Sequence, residues 1–96
     1  MKRRNTESLA AILSQYLRQE GLETPLAEHR AIEAWPQVAG EAAAAVTESV
    51  ALRGQTLWVK LTSPIVRQEL LMRRDALAAA LNKAAGMHLI YEIRLA

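Results

Sequence analysis

Few residues in this chain carry groups that can react, and their spacing argues against a reaction centre. His29 and His88 are the only histidines, they stand far apart, and neither has a second ligand at zinc spacing. Cysteine is absent, which removes thiolate nucleophiles, thiolate metal sites and disulfides together. Glu28 with Glu33, and Glu69 with Asp75, are carboxylate pairs by spacing. Each pair falls in a helical pattern that needs charged residues on its water-facing side anyway. Ser63 stands before Pro64 with no histidine near it in sequence, so it reads as a helix cap rather than a nucleophile. No glycine-rich phosphate loop occurs. The expectation is a non-enzymatic protein with neither metal nor cofactor.

The chemistry that remains is charge. The formal net charge is only +2, but it is unevenly spread. Residues 5–48 sum to −5 and residues 49–96 to +4, with Lys2, Arg3 and Arg4 adding positive charge at the start. A chain polarised in this way can present a basic surface to phosphates. Single-stranded nucleic acid also gains from an exposed aromatic on which a base can stack. The candidate nucleic-acid contacts are therefore Lys60, Arg67, Arg74 and Lys83, with Trp58 as the aromatic and Lys2, Arg3 and Arg4 as a basic tail. A second reading stays open: the two halves neutralise each other on folding, Trp58 packs under a helix, and Arg73 pairs with Glu69 at i, i+4.

These side chains need a frame. Leu57, Val59 and Leu61 alternate with Trp58, Lys60 and Thr62, the period of a half-buried strand. Val50 and Leu52 alternate likewise, and Arg53-Gly54-Gln55 between the runs predicts a tight hairpin. Ser63 and Pro64 then open what reads as one long helix from Pro64 to Ala85, buried through Val66, Leu70, Leu77, Leu81 and Ala84, with Gly86 as its exit. Arg67 and Arg74 fall on one side of that helix. Leu89, Tyr91, Ile93 and Leu95 alternate as a last strand.

Two helices precede the strands. Leu9, Ile12, Leu13, Tyr16 and Leu17 form one apolar face after a cap at Asn5 or Thr6, and Gly21 ends that helix. Thr24-Pro25 predicts the second start. Leu26, Ile32 and Trp35 give it a weaker stripe, and Pro36 predicts a stop or kink at Trp35. Gly40 predicts a break before the strands. The result is a single α+β domain over residues 6–96, in the order α-α-β-β-α-β, with a three-stranded sheet backed by helices. Residues 1–5 read as a flexible basic tail. A hydrophobic fraction of 51% over 96 residues suffices for one core, no run is long and apolar enough to span a membrane, and the expected location is the cytoplasm.

From Trp35 onward the residues also resemble a family. Trp35-Pro36-Gln37-Val38-Ala39-Gly40 is similar to the W-x-x-x-x-G signature of the DciA family of bacterial replication proteins. A Gly-x-x-Leu-x-Val hairpin (Gly54, Leu57, Val59), a capping serine (Ser63), Glu69-Leu70, Leu81-Asn82, Gly86 and Ile93-Arg94 follow in the family's order, over roughly two thirds of the chain. The resemblance implies a KH-like, cytoplasmic, non-enzymatic domain. It would serve the DnaB-type replicative helicase, help to load it on DNA and bind DNA, with single-stranded DNA the expected contact of the basic half. Val66 stands where many members carry an aromatic. Ala84-Ala85-Gly86-Met87 holds one glycine, so the Gly-x-x-Gly clamp of RNA-binding KH domains is not there. An RNA-binding module and a purely protein-binding domain remain the alternatives.

Overall fold

The computed structural model describes residues 2–96, with side chains described from Ser8 onward. The order is α1 (Lys2–Gln19), α2 (Glu23–Ala39), α3 (Glu41–Ala45), β1 (Thr47–Arg53), β2 (Thr56–Leu61), α4 (Pro64–Leu71), α5 (Arg74–Ala85) and β3 (Glu92–Leu95). The architecture is α+β. β2 lies at the centre of a three-stranded mixed sheet, antiparallel to β1 and parallel to β3. Parallel neighbours need a long crossover, and α4 with α5 supply it.

The hairpin forms as its residues predict. Gly54 has φ of +62°, which places the sterically awkward turn position on the residue without a Cβ. Leu57, Val59 and Leu61 are buried, while Trp58 and Lys60 are exposed. The buried face of β2 joins Ile93 of β3 under α2 and α5. The opposite face of the sheet is open.

The expected long helix is two helices. After Leu71 the chain tightens, with Met72 and Arg73 amides donating to the carbonyls of Glu69 and Leu70. An uninterrupted helix through Leu70 and Leu77 would turn position 73 or 74 toward the core, and both are arginine. The break instead lets Arg73 Nη2 donate to the Ala39 carbonyl at 3.2 Å. That contact, at the C-terminal end of α2, is favoured by the helix dipole and stands in place of the Arg73–Glu69 pair that the second reading allowed.

The stripe of α2 also differs. Ala27, Ala31, Trp35 and Ala39 are buried, and Leu26 and Ile32 are only half-buried. Alanines let α2 approach α5 closely, where Leu77, Leu81 and Ala85 face it; Ala84, expected inside, is exposed. Pro36 does not end α2. It sits one turn from Ala39, so only one carbonyl loses its helical partner, and Gly40 (φ +101°) makes the break. Trp35 Nε1 donates to Thr47 Oγ1 at 3.0 Å, and Thr47 Oγ1 donates to the Ala43 carbonyl at 2.8 Å, tying α2 and α3 to the start of the sheet.

β3 is shorter than its alternation suggested, and the phase slips before it. Ile90 is buried and Tyr91 exposed. Asn82 is the cause. Its Oδ1 accepts from the Leu89 and Ile90 amides at 2.9 and 2.8 Å, and its Nδ2 donates to the Ile90 carbonyl at 2.9 Å. Backbone groups held by a side chain cannot join a ladder, so the strand starts only at Glu92.

α1 begins at Lys2, ahead of the caps expected at Asn5 or Thr6. It ends as predicted. Gly21 (φ +71°) donates to the Arg18 carbonyl and Leu22 to the Leu17 carbonyl, the Schellman arrangement. Its apolar face, however, is not covered. Leu9, Ile12, Leu13 and Tyr16 are 66, 62, 58 and 53% exposed, and only Leu17 is half-buried.

Candidate nucleic-acid interface

The open face of the sheet is built by strand parity. Pairing sets Ala51, Trp58 and Arg94 in one row across β1, β2 and β3, with Ser49 beside Lys60 on one flank and Arg53, Thr56 and Glu92 on the other. Trp58 is 46% exposed at the centre. The Arg94 guanidinium carbon lies 5.7 Å from the centre of its ring, a cation–π contact. Arg94 Nε is held by Glu92 Oε1 at 3.2 Å, and Thr56 Oγ1 donates to the same oxygen at 3.4 Å. Lys60 Nζ stands 3.9 Å from Glu48 Oε1, a loose exposed pair. Such pairs contribute on the order of 0–1 kcal/mol, so a phosphate can compete for either cation.

The sequence-predicted cations do not all meet here. Lys60 and Trp58 share the open face. Arg67 is half-buried on α4. Arg74 is the first residue of α5, across the Met72–Arg73 turn, so the two arginines do not lie along one continuous helix. Arg74 lines a hollow with Asp75, Tyr91 and Glu92, and thus has two carboxylates near it. Lys83 is nine positions on from Arg74, roughly half a turn round the helix and about 14 Å along it, on the solvent side. The side chains of Lys2, Arg3 and Arg4 lie outside the described residues.

Sequence reasoning missed Arg53 and Arg94 as site residues. Their parity was legible, since each is out of phase with the buried residues of its own strand. What the sequence does not print is that β3 lies next to β2, which alone brings Arg94 to Trp58.

Nothing on this face resembles a reaction centre. Among the described residues no polar or charged side chain is buried, and no group of three or more His, Asp or Glu could hold a metal ion. Among the described residues no helix is long and apolar enough to cross a membrane. The chain's own sequence decides its kinship. The family model described as "Dna[CI] antecedent, DciA" matches residues 8–95. The chain belongs to the DciA family. No curated protein and no solved structure matches it. Membership implies involvement in loading the DnaB helicase in replication.

The residues that carry the DciA resemblance turn out to be builders of the scaffold. Trp35 is buried and bonded to Thr47, and Gly40, Gly54 and Gly86 all hold positive φ. Ser63 Oγ accepts from the Val66 amide at 3.3 Å at the start of α4. Leu70, Leu81 and Ile93 are core, and Asn82 holds the approach to β3. Arg94 alone of the set projects from the open face. The DciA signature therefore preserves the frame, and the charges on its surface are a separate matter.

Proposed function

We propose that this chain is a cytoplasmic, non-enzymatic adaptor in DNA replication that contacts the DnaB-type helicase and single-stranded DNA with different surfaces. The observation that carries the reading is the uncovered apolar face of α1, Leu9, Ile12, Leu13 and Tyr16, in a chain whose family serves helicase loading. That face lies in the acidic half of the sequence and meets the helicase. The basic half, with Lys60, Arg67, Arg74, Lys83 and Trp58 and with Lys2, Arg3 and Arg4 from the start of α1, contacts DNA. A KH-like ancestry belongs to this reading. Consecutive helices α4 and α5 leading into a strand parallel to its neighbour support it. The turn between those helices, Leu71-Met72-Arg73-Arg74, contains no glycine to clamp a backbone, so DNA is held by side chains.

Copurification with the helicase from the native cell tests the first surface. Ile12→Glu with Leu13→Glu should abolish recovery of the helicase while leaving the fold intact, and full recovery would overturn the assignment. For the second surface, Arg67→Glu with Arg74→Glu should weaken single-strand binding. It should also flatten the salt dependence by roughly 0.7 in log–log slope for each phosphate that is no longer neutralised. An unchanged slope removes those arginines from the interface.

A further inference from the structure

The open sheet face holds a feature that charge alone does not explain. β1 presents small side chains, Ala51 directly opposite Trp58 and Ser49 opposite Lys60. A hollow of about 280 Å³ is left there, lined by Ser49, Ala51, Arg53, Trp58, Lys60 and Ala96. Its floor is sheet backbone and small side chains, one wall is the indole, and two cations stand at its rim. Arg94 comes from the strand on the other side of β2, does not line the hollow, and contacts the indole from there. The ring is braced by Arg94, itself held by Glu92, whose Oε1 also accepts from Thr56 Oγ1. It remains accessible on the β1 side.

We infer that this hollow seats one unpaired nucleobase of a single-stranded DNA, stacked against Trp58, with the flanking phosphates at Arg53 and Lys60. The assignment rests on the proposed contact with single-stranded DNA and names the place where it happens. An aromatic plane flanked by cations is the combination that binds single strands without sequence preference, because every base has a π-face and every nucleotide a phosphate. The bases of a duplex are stacked on one another and cannot enter, so the site distinguishes an opened strand from a paired one. Glu48 and Glu92 carry the acidic side chains that meet cations of this face. Glu48 sits at the irregularity between Thr47 and Ser49 and reaches Lys60 only at 3.9 Å, and Glu92 is engaged by Arg94. Arg53 has no ion-pair partner among the described residues.

The two tryptophans make the test direct. Trp35 is buried and bonded to Thr47, so its emission reports the fold, whereas Trp58 reports the hollow. The full chain is titrated with a twelve-nucleotide oligo-dT, the same length of abasic deoxyribose-phosphate strand, and a duplex. Stacking on Trp58 predicts strong quenching with oligo-dT alone. Trp58→Ala should lower oligo-dT affinity about five- to hundredfold, leave abasic binding and the salt slope unchanged, and be largely rescued by Trp58→Phe. Arg53→Ala with Lys60→Ala should lower the slope. Equal loss of oligo-dT and abasic binding in Trp58→Ala, or no loss of either, overturns the base seat. If Trp58→Ala binds normally while Arg67→Glu with Arg74→Glu does not, the adaptor reading stands and the strand lies on the helices. If the wild-type chain binds none of the three at low salt, the single-strand reading itself falls.

Discussion

α1 and α5 are both amphipathic, and both end at a glycine with positive φ, yet they meet opposite fates. α5 buries Leu77, Leu81 and Ala85 against α2 and the sheet. α1 leaves Leu9, Ile12 and Tyr16 in water and approaches the body beside an open cavity of about 390 Å³ edged by Leu13, Leu17, Leu26 and Met87, with Leu13 itself 58% exposed. Hydrophobic period determines which side of a helix is apolar. It does not determine whether the same chain supplies the surface that covers it. In this small domain α2 has one stripe of small residues, and α5 occupies it. α1 is left with most of its apolar face uncovered within the described residues, Leu17 alone of that face being half-buried.

The contrast is broken most severely at Leu81, the fully buried centre of α5. Leu81→Ala removes apolar packing and leaves a cavity in a close-packed core. It should cost about 2–5 kcal/mol in urea denaturation. A loss below about 1 kcal/mol would mean that α5 is not anchored as described.

Next in size is Asn82→Ala. The side chain makes three hydrogen bonds to the backbone of Leu89 and Ile90. Removing it strands two amides and a carbonyl in a part-buried place, at a net cost of about 2–4 kcal/mol. Amide exchange at Leu89 and Ile90 should accelerate more than exchange in β1. Smaller again is Thr47→Val, nearly the same shape, which leaves the Trp35 indole N–H without its acceptor. It should cost about 1–2 kcal/mol, with a shift in Trp35 emission.

Asn82 also marks where the sequence stopped being legible. β2, the hairpin at Gly54 and the exits at Gly21 and Gly86 follow from local rules, because alternation and positive φ are properties of a few neighbouring residues. The division of α4 from α5 does not. No glycine or proline announces it, and it depends on Arg73 reaching a carbonyl 34 positions away. The late start of β3 depends on Asn82 taking the amides that a strand would use. The α2 stripe escaped notice because it is made of alanines, which count for little in a pattern weighted by bulk. At the candidate interface, Trp58 and Lys60 were readable from parity. Arg94 was not, since only the parallel pairing of β2 with β3 sets it over Trp58.

The smallest expected effect on stability is at Leu13. A side chain already 58% exposed loses little when truncated, so Leu13→Ala should change unfolding free energy by no more than about 0.5 kcal/mol. α1 should also exchange its amides far faster than α5, since a helix of this length holds itself only marginally without tertiary contacts. Adding the helicase should then slow exchange across residues 9–17 in the wild-type chain and fail to do so in Ile12→Glu with Leu13→Glu. Protection of α1 in the isolated chain, or a loss of stability at Leu13 comparable to that at Leu81, would show that the face is already covered and leave the helicase no surface there to bind.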